Sequence, residues 1–183
     1  MAGVFIIDTR NNKILVGLEI KQCILNINSF GGMTEATDTN SLYTAIRELV
    51  EELFNFHPNI ETIHNLIDIS KDYILYVYKT HKSTSYIMNI DVLNHYFNYF
   101  SSRSIPTVFD RWDTYISHID KFIHDRKITS KSHNGLNEIK EVFLLPIDYI
   151  YNIILRDTTI PTSLGDACVY RLLKSFRLRY YAL

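Results

Sequence analysis

Residues 31–54 read GGMTEATDTNSLYTAIRELVEELF, and the second half of this stretch has the periodicity of a helix. Apolar side chains recur there at intervals of three and four, which predicts an amphipathic helix over residues 39–54: Leu42, Ala45, Ile46, Leu49 and Leu53. His57 and Pro58 end this helix, because proline disfavours helical backbone in the residue before it.

The predicted helix also carries three carboxylates, Glu48, Glu51 and Glu52, within two turns. Like-charged pairs at this spacing each cost roughly 0.2–0.5 kcal/mol. A divalent cation makes the free-energy contribution of these neighbouring carboxylates favourable, because Mg²⁺ binds carboxylate oxygens and keeps coordination positions open for substrate phosphates. Arg47 can pair with Glu51 and fix its rotamer. The alternative is a solvated acidic face of the helix, which is the usual role of such a charge run.

Two glycines, Gly31 and Gly32, precede this helix. They predict a sharp turn of the backbone that lets it approach a metal ion or a phosphate closely.

Length and composition limit the class of protein. The chain has 183 residues, 46% of them hydrophobic, which fits one domain with a full core over residues 1–183. A net charge of −1 predicts no global attraction to nucleic acid or to an anionic membrane. Two cysteines favour a reducing compartment, and no apolar run approaches a membrane span. We therefore expect a soluble intracellular protein, and the A/T-biased residue usage would suit a large DNA virus acting in its host cell.

The remaining segments mix strands and helices. Residues 3–20 predict a β-hairpin with its turn at residues 10–12, and strands are predicted over residues 22–30, 62–69, 73–80 and 138–146. Residues 91–100 predict a helix whose apolar face is formed by Leu93, Tyr96, Phe97 and Phe100. Further helices are predicted over residues 109–127 and 162–178. This order indicates an α+β fold with a mixed sheet.

The stretch 31–54 resembles the Nudix box, whose pattern is glycine, five residues, glutamate, seven residues, then Arg-Glu-apolar-x-Glu-Glu-x-Gly-apolar. Gly32 matches the glycine, and Asp38 stands where the first glutamate belongs. Eight residues, and not seven, separate Asp38 from Arg47, and Phe54 or Asn55 replaces the late glycine. The Arg-Glu-Leu-x-Glu-Glu core matches without a gap.

This resemblance implies an α/β/α sandwich and a hydrolase that uses Mg²⁺ or Mn²⁺ to cleave a diphosphate linked to a nucleoside. By the resemblance, Glu48 and Glu52 are metal ligands and Glu51 is a ligand or a nearby base. The Gly31 carbonyl coordinates as well, Gly32 contacts substrate, and Arg47 belongs to the catalytic group.

The spacing between Asp38 and Arg47 is one residue longer than in the Nudix box. Together with four residues before the core, it is similar to the motif of the Nudix enzymes that decap small nucleolar RNA and hydrolyse inosine diphosphates: Glu35, Asp38, Ser41 and Leu42. Asn137-Glu138-Ile139 reproduces a tripeptide that carries a catalytic glutamate in messenger-decapping Nudix proteins, which implies Glu138 as general base or metal ligand. Arg171 falls near a position of the family that touches the base. Basic residues interleaved with aromatics, with Lys127 and Lys131 among them, indicate RNA contact; a solvated loop is the alternative.

Three functions stay open. The first is removal of a cap from mRNA or small nucleolar RNA, which releases 7-methylguanosine diphosphate; the second is hydrolysis of inosine diphosphate or ADP-ribose. The third is a binding module without turnover, which the intact acidic residues disfavour. A helical insertion over residues 91–134 exceeds a minimal Nudix domain, and it could cap the site, form a homodimer face or extend the core.

Overall fold

The structure is a computed structural model that describes residues 1–21, 24–54, 56–103 and 139–147. In these residues a mixed open sheet of seven strands is accompanied by three α-helices, so the predicted α+β class is confirmed. The strands are β1 (Ala2–Asp8), β2 (Lys13–Lys21), β3 (Ile24–Asn28), β4 (Phe30–Gly32), β5 (Ile74–Lys79), β6 (Thr84–Asn89) and β7 (Ile139–Pro146). The helices are α1 (Ser41–Phe54), α2 (Ile60–Ser70) and α3 (Val92–Ser102), and a 3₁₀ turn covers Lys71–Tyr73.

The strand order is β3-β2-β1-β6-β5, with β4 paired to β1 and β7 paired to β2. β1 and β6 run parallel, and the other pairs in the described sheet are antiparallel. The predicted hairpin is confirmed as β1 and β2, and Asn12 in its turn has a φ of 51°. Asparagine tolerates this left-handed conformation better than most residues.

Strand β1 divides the apolar core between the two faces of the sheet. Val4 and Ile6 belong to the larger cluster, which also contains the apolar side of α1, whereas Phe5 and Ile7 belong to a second cluster. This alternation follows from the period of two along a strand. Both faces of β1 are therefore covered.

Helix α1 begins two residues later than predicted. Asn40 caps it, because its Oδ1 accepts a hydrogen bond of 2.9 Å from the Tyr43 backbone N–H. The predicted apolar face is confirmed: four of its side chains are fully buried, and Leu42 packs against the cluster at its edge. The helix lies against β1 and β4.

The strand predicted over residues 62–69 is wrong, because these residues belong to α2. The side chain of Asn59 accepts a 2.8 Å hydrogen bond from the Thr62 N–H and caps the helix, and Ile63 and Leu66 lie buried on one side of it. The isoleucine-rich composition favoured a strand, but capping and burial on one face decide the conformation. The short strand β6 was not predicted at all.

Two more predicted strands and one more predicted helix are confirmed. The predicted strands at residues 73–80 and 138–146 are β5 and β7, and α3 buries Leu93, Tyr96, Phe97 and Phe100 as predicted. Residues 109–127 and 162–178, where two more helices are predicted, lie outside the described residues. The single domain over residues 1–183 therefore stays a prediction. Within the described ranges, none of the helices has the length and apolarity to cross a membrane.

Candidate metal centre

Glu48, Glu51 and Glu52, here called the acidic cluster, are buried. Their residues are 8%, 1% and 6% exposed respectively. The alternative of a solvated acidic face is therefore wrong. Carboxylates are rarely buried unless they are paired or hold a cation, so their partners decide what the cluster can do.

Two members of the acidic cluster reach strand β4. Glu52 Oε2 accepts a hydrogen bond of 2.9 Å from the Gly31 backbone N–H. The Glu48 carboxyl group lies so close to Gly32 that an added Cβ would be 2.5 Å from its atoms. The two carboxylates thus lie against adjacent residues of β4, although Glu52 is 21 residues from Gly31 in sequence and Glu48 is 16 residues from Gly32.

The glycines serve this site differently from the prediction. Gly31 and Gly32 lie in β4 and not in a sharp turn, so the predicted turn is wrong. Glycine at position 32 leaves space for the Glu48 carboxylate, the flexible end of a side chain that an added Cβ would displace. Glycine is required at position 31 because a Cβ there would be 2.7 Å from the Ala2 carbonyl oxygen of the paired strand β1. Close approach of this backbone to a metal ion or a phosphate, the other half of the prediction, stays a prediction.

Arg47 lies among four carboxylates. Its guanidinium nitrogens are 2.9 Å from Glu51, 3.0 Å from Glu48, 3.0 Å from Asp38 and 3.5 Å from Glu35. Burial by itself lowers the pKa of Arg47, but the bonds to Asp38 and the charges of Glu48 and Glu51 outweigh it and raise the pKa. The predicted contact between Arg47 and Glu51 is confirmed, and negative charge remains in excess around this cation.

Asp38 links the loop before α1 to the helix. Its two oxygens accept hydrogen bonds of 3.0 Å from Arg47 Nε and Nη2, and Oδ2 also accepts one of 2.9 Å from the Glu35 N–H. Burial opposes ionisation, yet these bonds hold the pKa of Asp38 below its usual value. Asp38 therefore positions Arg47 in this structure, which gives the aspartate a role despite the altered spacing of the box.

His57 is the functional candidate that sequence reasoning missed. Its Nδ1 contacts Glu51 Oε1, while Arg47 Nη1 donates to Glu51 Oε2 at 2.9 Å. The sequence marked His57 only as the end of a helix. No spacing signal could have identified the contact, because it depends on how the chain turns back after α1.

Two cavities flank the site. A groove of about 60 Å³ is lined by residues of β1, β4 and the start of β6, including Gly3, Phe5, Gly31 and Ser85. A cavity of about 550 Å³ lies between α1 and the first turn of α2, where Tyr43, Arg47 and His57 line it. Only the second cavity has the volume of a typical small-molecule site.

The residues present fit a hard divalent cation. Among the described residues no three His, Cys, Asp or Glu side chains form a ready-made cage. Mg²⁺ ordinarily binds through one or two carboxylates together with waters and substrate phosphates, so a full protein cage is not required. Glu52 beside Gly31 and Glu48 beside Gly32 are two such carboxylates, and Glu51 lies on the same helix.

The other predicted site residues lie outside the described part of the chain: Glu138, Arg171, Lys127 and Lys131. Glu138 directly precedes β7 in sequence. The metal ligation, the base and the substrate contacts all stay predictions.

No protein-family model and no curated protein matches the chain.

Proposed function

We propose that the chain is a metal-dependent Nudix pyrophosphohydrolase, built as an α/β/α sandwich, that removes the cap of an RNA. One observation carries the hydrolase part of this proposal: Glu48 and Glu52 are both buried, and their carboxylates lie against the adjacent residues Gly32 and Gly31 respectively. An acidic pair held against backbone, with Arg47 beside it, has the chemistry that Mg²⁺ or Mn²⁺ requires. The sandwich is supported by apolar clusters on both faces of β1.

The acidic cluster and its neighbours have separate roles in this proposal. Glu48, Glu52 and the Gly31 carbonyl would hold the ion, Glu51 would be a ligand or nearby base, and Arg47 orients the carboxylates through its contacts with Glu48 and Glu51. When bound, the ion neutralises phosphate charge and lowers the pKa of coordinated water. Gly32 leaves room for the Glu48 carboxylate beside it.

The reaction is a displacement at phosphorus. A water oxygen forms a bond to one phosphorus of the diphosphate, and the bond from that phosphorus to the bridging oxygen breaks. Glu51, or Glu138 on the evidence of its sequence position, accepts the proton of the water. From a capped RNA the products are 7-methylguanosine diphosphate and RNA with a 5′-monophosphate.

The choice of capped RNA rests on the sequence. The spacing before the Arg-Glu-Leu-x-Glu-Glu core and the basic residues Lys127, Lys131 and Arg171 support it, and inosine diphosphate or ADP-ribose is the competing substrate class. The two substrate classes differ in the protein contacts that they need beyond the diphosphate, because only the RNA requires basic side chains along its phosphate backbone.

A parallel assay tests the proposal. Purified protein is incubated with capped RNA, inosine diphosphate and ADP-ribose, with Mg²⁺, with Mn²⁺ or with chelator, and the products are separated by chromatography. We expect capped RNA to be cleaved only with metal. Glu52→Gln should lower the rate by more than about 100-fold, since loss of groups that merely support a ligand already costs 10–100-fold. The matched control is Asp72→Asn in the exposed 3₁₀ turn after α2, which should leave the rate unchanged.

The outcomes separate the parts of the proposal. Cleavage of a free nucleotide with capped RNA left intact would remove the decapping function alone. Full turnover by Glu52→Gln would disprove the assigned metal site. A wild-type protein that cleaves none of the three substrates would overturn the hydrolase itself.

A further inference from the structure

Both oxygens of the Glu51 carboxylate are held by side chains from different parts of the chain. Arg47 Nη1 donates to Oε2 from one turn earlier in α1, and His57 Nδ1 contacts Oε1 from beyond the end of the helix. Glu51 itself is 1% exposed. A carboxylate that is contacted at only one oxygen can still rotate about its Cγ–Cδ bond. A carboxylate that is contacted at both oxygens has a single orientation.

His57 does not belong to the Arg-Glu-Leu-x-Glu-Glu segment, and the resemblance to the Nudix box assigns it no role. It follows Phe54, the last residue of α1, by three positions. Its ring contacts Glu51, a residue in the last turn of that helix. Pro58, which is buried, limits the backbone at this point.

We propose that His57 is a positioning residue that fixes the Glu51 carboxylate for the metal centre. This inference rests on the proposed function, because Glu51 needs a fixed orientation only if it serves an ion or a water beside it. The contact requires a hydrogen on Nδ1. Both the neutral tautomer protonated at Nδ1 and the imidazolium have one, so either form can donate it.

The surroundings of His57 make the proposal testable by chemical rescue. The side chain is 44% exposed and lines the cavity of about 550 Å³ between α1 and α2. Truncation to alanine would enlarge a cavity that already has the volume of a small-molecule site. Free imidazole can therefore enter and take the place of the lost ring.

The first measurement does not depend on turnover. The Mn²⁺ dissociation constant is determined by electron paramagnetic resonance for wild type, His57→Ala, His57→Asn and His95→Ala. We expect His57→Ala to weaken binding by about 10–100-fold, the usual effect of losing a group that orients a ligand. His57→Asn should retain most of the affinity, because its amide can donate from nearly the same place as Nδ1. His95, an exposed histidine that contacts Tyr73, is the matched control.

The second measurement uses activity. In His57→Ala, kcat should fall with KM little changed, and added imidazole should restore kcat in a saturable manner, whereas His95→Ala should not respond. Urea denaturation checks that His57→Ala remains folded. A role in packing alone would not produce rescue by a small base.

The failures are distinguishable. Wild-type Mn²⁺ affinity and kcat in His57→Ala, with an active wild type, would overturn this inference and leave the proposed function intact. Equal losses in His57→Ala and His57→Asn without imidazole rescue would also overturn it. A wild type that neither binds Mn²⁺ nor cleaves any substrate would overturn the proposed function and this inference together.

Discussion

The Glu52 side chain accepts a hydrogen bond of 2.9 Å from the backbone N–H of Gly31. The bond joins the last turn of α1 to the short strand β4, and it places a carboxylate beside the backbone of the central sheet. Glu48 lies against the next residue, Gly32. This pairing of helix carboxylates with adjacent glycines defines the site, and the predictions below test its parts separately.

Gly32→Ala should disturb Glu48. The added Cβ would lie 2.5 Å from the carboxyl atoms, so the side chain must shift, and overpacking of this kind costs about 1–3 kcal/mol. We expect most of that cost to disappear when Glu48→Ala is also present. Urea denaturation of the four proteins in this double-mutant cycle measures the coupling. If Gly32→Ala cost the same free energy of unfolding with and without Glu48→Ala, the added Cβ would clash with a group other than Glu48.

Arg47→Met should destabilise the fold by about 3–5 kcal/mol, because it leaves the buried carboxylates of Asp38 and Glu51 without their cation. The midpoint of urea unfolding measures the effect. Lys71→Met is the matched control, since Lys71 pairs with Asp68 on the surface and such exposed pairs contribute little to stability. Comparable losses in the two variants would contradict the assigned burial of the Arg47 network.

The stabilisation contributed by Asp38 should depend on pH in acid. Its pKa is below the usual 3.8, because the bonds from Arg47 and from the Glu35 N–H outweigh the effect of burial. A carboxylate whose folded pKa is depressed stabilises the fold fully at pH values well above 3.8, and the contribution is lost as pH falls through the folded pKa.

The measurement compares the free energy of unfolding of wild type and Asp38→Asn from pH 7 to pH 2. We expect wild type to be more stable by roughly 1.5–3 kcal/mol at neutral pH, with the difference shrinking in acid. The pKa of Asp8 is lowered as well, but Asp8 is present in both proteins, so its effect cancels. A difference that stays constant with pH would refute the pairing.

Asn59→Ala should destabilise the protein by about 0.5–2 kcal/mol through loss of the cap on α2, where Asn59 Oδ1 accepts from the Thr62 N–H at 2.8 Å. Thermal unfolding followed by circular dichroism measures it. Asn65→Ala on the exposed side of the same helix should stay within about 0.5 kcal/mol. A negligible effect of Asn59→Ala would indicate that the helix begins elsewhere.

Local patterns predicted the elements whose signals are strong over several residues. The hairpin of β1 and β2, the strands β5 and β7, and the apolar faces of α1 and α3 follow from periodicity alone. Helix α2 was mistaken for a strand, because its isoleucines carry strand propensity while its cap depends on a single side chain, Asn59. β6 has six residues and no distinctive boundary, and its place beside β1 depends on long-range pairing.

The sequence by itself determined that three carboxylates and an arginine share one helix, because helical spacing fixes which side chains of a segment are neighbours. Only the tertiary structure decided that these carboxylates are buried, that Glu48 and Glu52 meet Gly32 and Gly31, and that His57 contacts Glu51. The physical reason is distance along the chain. Contacts across β4, α1 and the segment after α1 depend on how separate elements pack, and no local pattern encodes that packing.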